Sequence, residues 1–207
     1  SDSGGGAGIQ ADIKAVTALN GFAMTAVTAL TAQNTQGVHG IYPVDTDFVA
    51  QQMRVVLADL GADCIKTGML HSTEVIEVVA GVLADTAAGV PLVADPVMVA
   101  KGGAKLLDDS AHAALLALLL PRATLLTPNA PEAAALTGLD VEDEAGQHRA
   151  GEALLELGVG AALIKGGHVP GADVVDLLFT PQETVRFADP RIDSANTHGT
   201  GCTLASA

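Results

Sequence analysis

The 207-residue chain predicts an α/β fold, a mostly parallel central sheet with helices on both faces. Two observations carry this. Short apolar runs of strand length alternate with amphipathic stretches of ten or more residues, the pattern of strand–helix–strand units. The apolar runs also end abruptly in polar clusters, as strands do where a sheet meets its ligand edge. No internal repeat, low-complexity segment or linker interrupts the pattern, so one domain over 1–207 is expected.

Taken in order, Ile9 to Leu19 has helical spacing (Ile9, Ile13, Val16, Leu19) and stops at Asn20-Gly21. Phe22 to Ala32, rich in Thr and Val, reads as extended. Phe48 to Leu60 reads as a helix with Asp47 as its N-cap. Cys64 to Thr67 is a short strand ending at Gly68, and Thr73 to Ala84 a helix capped by Ser72. Pro91 to Ala94 is a buried strand cut off at Asp95-Pro96. Ala111 to Leu120 reads as one helix and Thr124 to Thr127 as a strand closed by Pro128-Asn129. Pro131 to Leu136 opens with Pro near its start, as helices tolerate. Ala145 to Leu157 is a further helix, followed by the strand Ala161 to Lys165 and Gly166-Gly167-His168. Val174 to Phe179 and Glu183 to Phe187 form a hairpin around Thr180-Pro181.

Composition narrows the function. The net charge is −14 with 10 Lys plus Arg, and aromatics are 2%. A chain with neither a basic stripe nor a stacking platform is not expected to bind nucleic acid. The most apolar stretch, Ala113 to Leu120, is too short to cross a membrane, and no secretory signal is read at the start. Cys64 and Cys202 lie far apart without metal-ligand spacing, which favours a reduced, cytoplasmic protein.

The most informative run is Thr197-His198-Gly199-Thr200-Gly201-Cys202-Thr203. Glycines one residue apart, flanked by hydroxyls and leading into a helix, form a nest of backbone N–H groups suited to an anion. Cys202 sits where a helix N-terminus would lower a thiol pKa. Other phosphate motifs fail: Ser3-Gly4-Gly5-Gly6-Ala7-Gly8 lacks the Gly-Lys-Ser/Thr ending of a P-loop, and Ile9 stands where GxGxxG needs its third glycine. Phosphate binding therefore rests on the late nest, with Lys165 as a point charge and Asn129 and Glu132 near a metal. The polar clusters Gln33-Asn34-Thr35, Lys66-Thr67-Gly68-Met69, Asp95-Pro96-Val97-Met98, Thr127-Pro128-Asn129 and Lys165-Gly166-Gly167-His168 are expected along one sheet edge if their strands are parallel.

These clusters, the opening Ser1-Asp2-Ser3-Gly4-Gly5-Gly6-Ala7-Gly8-Ile9-Gln10-Ala11-Asp12 and the closing glycine–cysteine run together resemble the ribokinase-like superfamily. Within it, the chain is similar to the hydroxymethylpyrimidine/phosphomethylpyrimidine kinases of thiamine biosynthesis. The resemblance implies a three-layer ribokinase-like domain lacking the first strand and the C-terminal helices, a homodimer, and ATP with Mg²⁺ as cofactors. It implies phosphorylation of a hydroxymethyl group on a pyrimidine, then of the monophosphate. Asp12 and Gln33 would hydrogen-bond the aminopyrimidine, and Met69 and Val97 would line an apolar wall. Gly199, Thr200 and Gly201 would hold the transferring phosphoryl group, with Cys202 as base. Lys165, Asp95 and Thr197 would contact ATP, and Asn129, Glu132 and Asp95 would lie near the metal. Gly4 departs from the serine expected in the first loop. A pyridoxal kinase of the same fold and a non-catalytic pyrimidine sensor are the alternatives.

Overall fold

In the computed structural model, which describes residues 1–98 and 109–207, two sheets form. The larger contains β3 (Ile65–Thr67), β4 (Leu92–Ala94), β5 (Leu125–Leu126) and β6 (Ala162–Ile164), parallel and adjacent in chain order. The antiparallel hairpin β7 (Asp173–Phe179) and β8 (Thr184–Pro190) extends it. The smaller sheet pairs β1 (Ala29–Asn34) with β2 (Gly37–Pro43). Helices α1 (Gly8–Ala18), α2 (Thr46–Asp59), α3 (Thr73–Thr86), α4 (Asp109–Ala114), α5 (Ala130–Thr137), α6 (Glu144–Glu156) and α7 (Thr200–Ala205), with short helical turns at Leu115–Leu119, Leu120–Arg122 and Gly166–His168, complete the described elements.

Strand alternation gives the large sheet two unlike faces. Leu92, Ala94, Leu126, Ala162 and Ile164 are buried, and join Ile76, Val79 and Leu83 of α3 and Leu154 of α6 in one core. Lys66, in register with Val93, points the other way and reaches α1 and α7, which pack on each other. Helices therefore cover both faces, as the alternation predicts. Short strands suffice because burial drives them: four residues of this core at about 2 kcal/mol each outweigh any propensity difference.

The structure corrects several expectations. Asp45, not Asp47, caps α2, because its carboxylate accepts from the backbone N–H groups of Asp47 and Phe48. The single helix expected over 111–120 is α4 followed by a π-helical turn at Leu115–Leu119 and a 3₁₀ turn at Leu120–Arg122. Pro121 has no N–H to continue an α-helical ladder, and the wider turn keeps Leu115, Leu119 and Leu120 buried. Phe22 to Val27 is not strand, and β2 was not foreseen: Gly37, Gly40 and Pro43 interrupt any alternating pattern. The cluster at Gln33 consequently lies on the small antiparallel sheet, not on the edge of the parallel one.

Candidate active site

The four parallel strands end side by side. Asp95 N–H donates to Thr67 O, Thr127 N–H to Ala94 O, and Lys165 N–H to Pro128 O. This ladder fixes the polar residues that follow β3, β4, β5 and β6 along one edge, where open α/β sheets bind ligands. Lys165 is 8% exposed and donates from Nζ to Asp95 Oδ1 at 2.9 Å, while Thr127 Oγ1 donates to the same oxygen at 3.2 Å. A Cβ placed on Gly201 would lie 3.5 Å from Lys165 Nζ. The expected cation thus stands directly over the glycine turn.

That turn is built as the sequence suggests. Gly199 adopts φ +81° as the N-cap of α7, a left-handed conformation costly for residues with a side chain, and a Cβ there would overlap the Gly6 carbonyl oxygen. The close approach couples the turn to the first glycine loop. Asp2, 1% exposed, accepts from Gly4, Gly6 and Ala7 N–H at 2.7, 3.0 and 2.8 Å, and lies 2.7 Å from His198 Nε2. Burial opposes charge on Asp2, but His198 and the three N–H groups outweigh it and hold the carboxyl below its ordinary value. The pair is a joint between the two loops that motif reading missed; its only sequence signal is a carboxylate inside a glycine loop.

Cys202 departs from expectation. Burial pushes its thiol up rather than down, and Asp95 and Asp12 add to this; the Gly8 N–H and Lys66 oppose it without prevailing. A six-residue helix supplies too little dipole to overcome desolvation. The group at rest is a neutral thiol.

The residues expected near a metal have partners of their own. Asn129 and Glu132 form a capping box: Asn129 Oδ1 accepts from Glu132 N–H at 2.9 Å, and Glu132 Oε2 from Asn129 N–H at 2.8 Å. Glu132 Oε1 accepts from Met98 N–H at 3.2 Å. Burial raises this carboxyl above its ordinary value. Among the described residues no three acidic, His or Cys side chains gather as a ready-made metal cage.

On the substrate side, Gln33 follows a register shift between Ala32 and Gln33, the kind of irregularity that re-aims a side chain. Ser3 Oγ donates to the Gln33 carbonyl oxygen at 2.8 Å and accepts from Gln33 N–H at 2.9 Å, and Gln33 Oε1 accepts from Thr31 Oγ1 at 3.0 Å. Met69 follows β3, and its carbonyl accepts from Thr28 Oγ1 at 2.9 Å. Val97 has φ +40°, a conformation that a β-branched residue adopts only under constraint. Asp12 gives Oδ1 to Lys66 Nζ at 2.7 Å, with Ser206 Oγ at 2.9 Å. Lys66 was expected along the sheet edge with Thr67, Gly68 and Met69 but not as a partner of Asp12, and Ser206 was not singled out. Beside the turn, a cavity of about 460 Å³ is lined by Gly171, Ala172, Arg191, Ile192, Asp193, Ser194 and Thr197.

The fold is that of the ribokinase-like kinases, a mostly parallel sheet, and its strand-end edge here carries a buried lysine, a carboxylate and a glycine turn. The comparisons give the family. A family model described as phosphomethylpyrimidine kinase matches residues 2–207, and the chain belongs to that family. It is 52% identical over 207 residues to the thiamine biosynthesis bifunctional protein ThiED of Geobacter sulfurreducens, covering all of this chain and 42% of that protein. It is 51% identical to the hydroxymethylpyrimidine/phosphomethylpyrimidine kinase of Streptomyces coelicolor, covering all of this chain and 76% of the relative. The chain thus spans less than half of the bifunctional relative and about three quarters of the single-name kinase. Among solved structures, Staphylococcus aureus pyridoxal kinase in complex with AMP-PCP and pyridoxal superposes with TM-score 0.89 at 32% identity, covering all of this chain and 75% of that one.

Proposed function

We propose that this chain is the kinase domain of an enzyme that phosphorylates hydroxymethylpyrimidine and then its monophosphate, with ATP as donor. The observation that carries the reading is the convergence of Lys165 on the Gly199–Cys202 turn from a different strand end. Gly201 and Cys202, in the first turn of α7, have no backbone acceptor among the described residues, so their N–H groups are open to an anion. Together with the ammonium they would neutralise charge on the transferring phosphoryl group, which is most of what phosphoryl transfer asks of a protein. Thr197 joins this turn to the 460 Å³ cavity, which would take the rest of the nucleotide.

Gln33 and Asp12, the latter through Oδ2, would meet the polar edge of the ring, and Met69 and Val97 its apolar face. Cys202 would accept the hydroxyl proton. It would do so as the thiolate: burial raises the thiol pKa, so only a small ionised fraction is present near neutral pH, and that fraction grows as pH rises. Mg²⁺ when bound would neutralise phosphate charge. The donor set fits an ion held chiefly by phosphate and water: Asp95 has one oxygen outside its contacts with Lys165 and Thr127 and would be the protein's direct ligand, while Glu132 and Asn129, engaged with backbone N–H groups, would act only indirectly. The intact enzyme is expected to be a homodimer, as the family resemblance implies; sedimentation tests it.

A calorimetric titration tests the substrate side. Hydroxymethylpyrimidine is expected to bind the parent chain and to bind Gln33→Ala at least about tenfold more weakly, the scale of a lost buried hydrogen bond. Equal affinity for both removes Gln33 from the ring contact. Pyridoxal kinase activity is the second reading, favoured only by the structural likeness to enzymes of that name.

A further inference from the structure

A second cluster gathers around Lys66, of which the proposed function takes only Asp12, through its other oxygen. Lys66 Nζ contacts Asp12 Oδ1 at 2.7 Å, Ser206 Oγ at 2.8 Å and the Cys202 carbonyl oxygen at 3.0 Å. All three ammonium donors are therefore occupied. Ser206 Oγ lies 2.9 Å from both Asp12 Oδ1 and the Cys202 carbonyl, closing the network. The side chains of Lys66 and Asp12 are 14% and 25% exposed, so the pair is largely out of water.

These contacts join three elements at one point: α1 through Asp12, α7 through Cys202 and Ser206, and β3 through Lys66. β3 is an outer strand of the large sheet, and its neighbours in sequence, Ile65 and Thr67, face the opposite side. Lys66 is thereby rooted in the core while its ammonium projects to α7. That helix has six residues and a glycine N-cap without a side-chain cap bond. A helix this short does not hold itself in water. Its position must come from tertiary contacts, and the Lys66 ammonium, on the Cys202 carbonyl and on Ser206 Oγ, ties it to the sheet.

We propose that Lys66 is a positioning residue: through Asp12, Ser206 and the Cys202 carbonyl it fixes α7 on β3 and α1, and so sets where the Cys202 thiol and the Gly201 N–H stand. It does not touch the substrate. This rests on the reading of the α7 turn as the phosphoryl-transfer end of the site. Misplacing reacting groups by about 1 Å costs on the order of a hundredfold in rate, so a loosened α7 lowers kcat while Gln33 on the small sheet and Asp12, still bonded to Ser206 Oγ, keep the pyrimidine contacts.

The test compares Lys66→Met, Lys66→Arg and Ser206→Ala in a Cys64→Ser background, which leaves Cys202 as the sole thiol. Each variant is assayed for kcat, for KM of hydroxymethylpyrimidine and for the alkylation rate of Cys202 by iodoacetamide. Lys66→Met is expected to lose about a hundredfold in kcat with KM changed less than about threefold, and to alkylate at least about tenfold faster. Lys66→Arg is expected to recover about tenfold of the lost kcat. Should Lys66→Met fail to fold, Ser206→Ala, which strands no charge, carries the same test with the same directions at smaller size. An unchanged kcat overturns the proposal, and alkylation then tells which premise fell. Faster alkylation with unchanged kcat means that Lys66 holds α7 but that α7 is not the transfer turn. Unchanged alkylation means that Lys66 does not hold it.

Discussion

At the scale of single residues, environment overrides position. Cys202 stands at a helix start, yet burial between α1 and α7 keeps its thiol neutral. Iodoacetamide alkylation of Cys202 is therefore expected to keep accelerating beyond pH 9, since only the thiolate reacts; a plateau near pH 7 would mean a lowered thiol instead. Replacing Cys202 by Ala is expected to lower kcat by about 10²–10⁴-fold, the usual worth of a positioned proton acceptor, with the melting temperature little changed. Parent-level turnover removes the base role. Asp2 gives the opposite sign of shift. Its folded pKa lies below the ordinary 3.8, so its ionisation stabilises the fold above that value and the stabilisation is lost as pH falls through the folded pKa. Urea midpoints measured downward from pH 5 are expected to fall more steeply for the parent than for Asp2→Asn below about pH 4. Parallel curves would show that the joint to His198 carries no linkage.

At the scale of elements, caps and close approaches decide. The Asn129–Glu132 capping box opens α5 in the middle of the site edge, and Asn129→Ala is expected to cost about 1 kcal/mol in chemical denaturation. A loss under a few tenths would mean that the box is redundant with packing. Gly199→Ala combines a disfavoured φ with overlap on the Gly6 carbonyl, so it is expected to separate the two glycine loops and abolish detectable turnover. Retained activity would show that the loops need not touch. Most elements were legible from sequence because apolar runs and caps act locally: Ser72 caps α3, and Asp143 caps α6 just ahead of Glu144. The elements that were not legible depend on distant partners. β2 exists by pairing with β1, and the π-helical turn by the demand of buried leucines beside Pro121.

At the scale of the whole molecule, the site is legible as a set of strand ends but not as a network. The order of the clusters along the chain was enough to put Asp95, Thr127 and Lys165 on one edge, because consecutive parallel strands leave few alternatives. It could not show that Lys66 crosses to α7 or that Asp2 meets His198, contacts between residues more than 130 positions apart. Nor could it place Gln33, whose sheet stands apart from the parallel one. The proposed work of the assembled site is nonetheless a single one, to move phosphoryl groups from ATP to a pyrimidine. The most direct test is ADP release in a coupled assay with ATP, Mg²⁺ and limiting hydroxymethylpyrimidine. The expected result is two ADP per pyrimidine, with pyridoxal turned over far more slowly. Preference for pyridoxal, or tight pyrimidine binding with no ADP released, would contradict it.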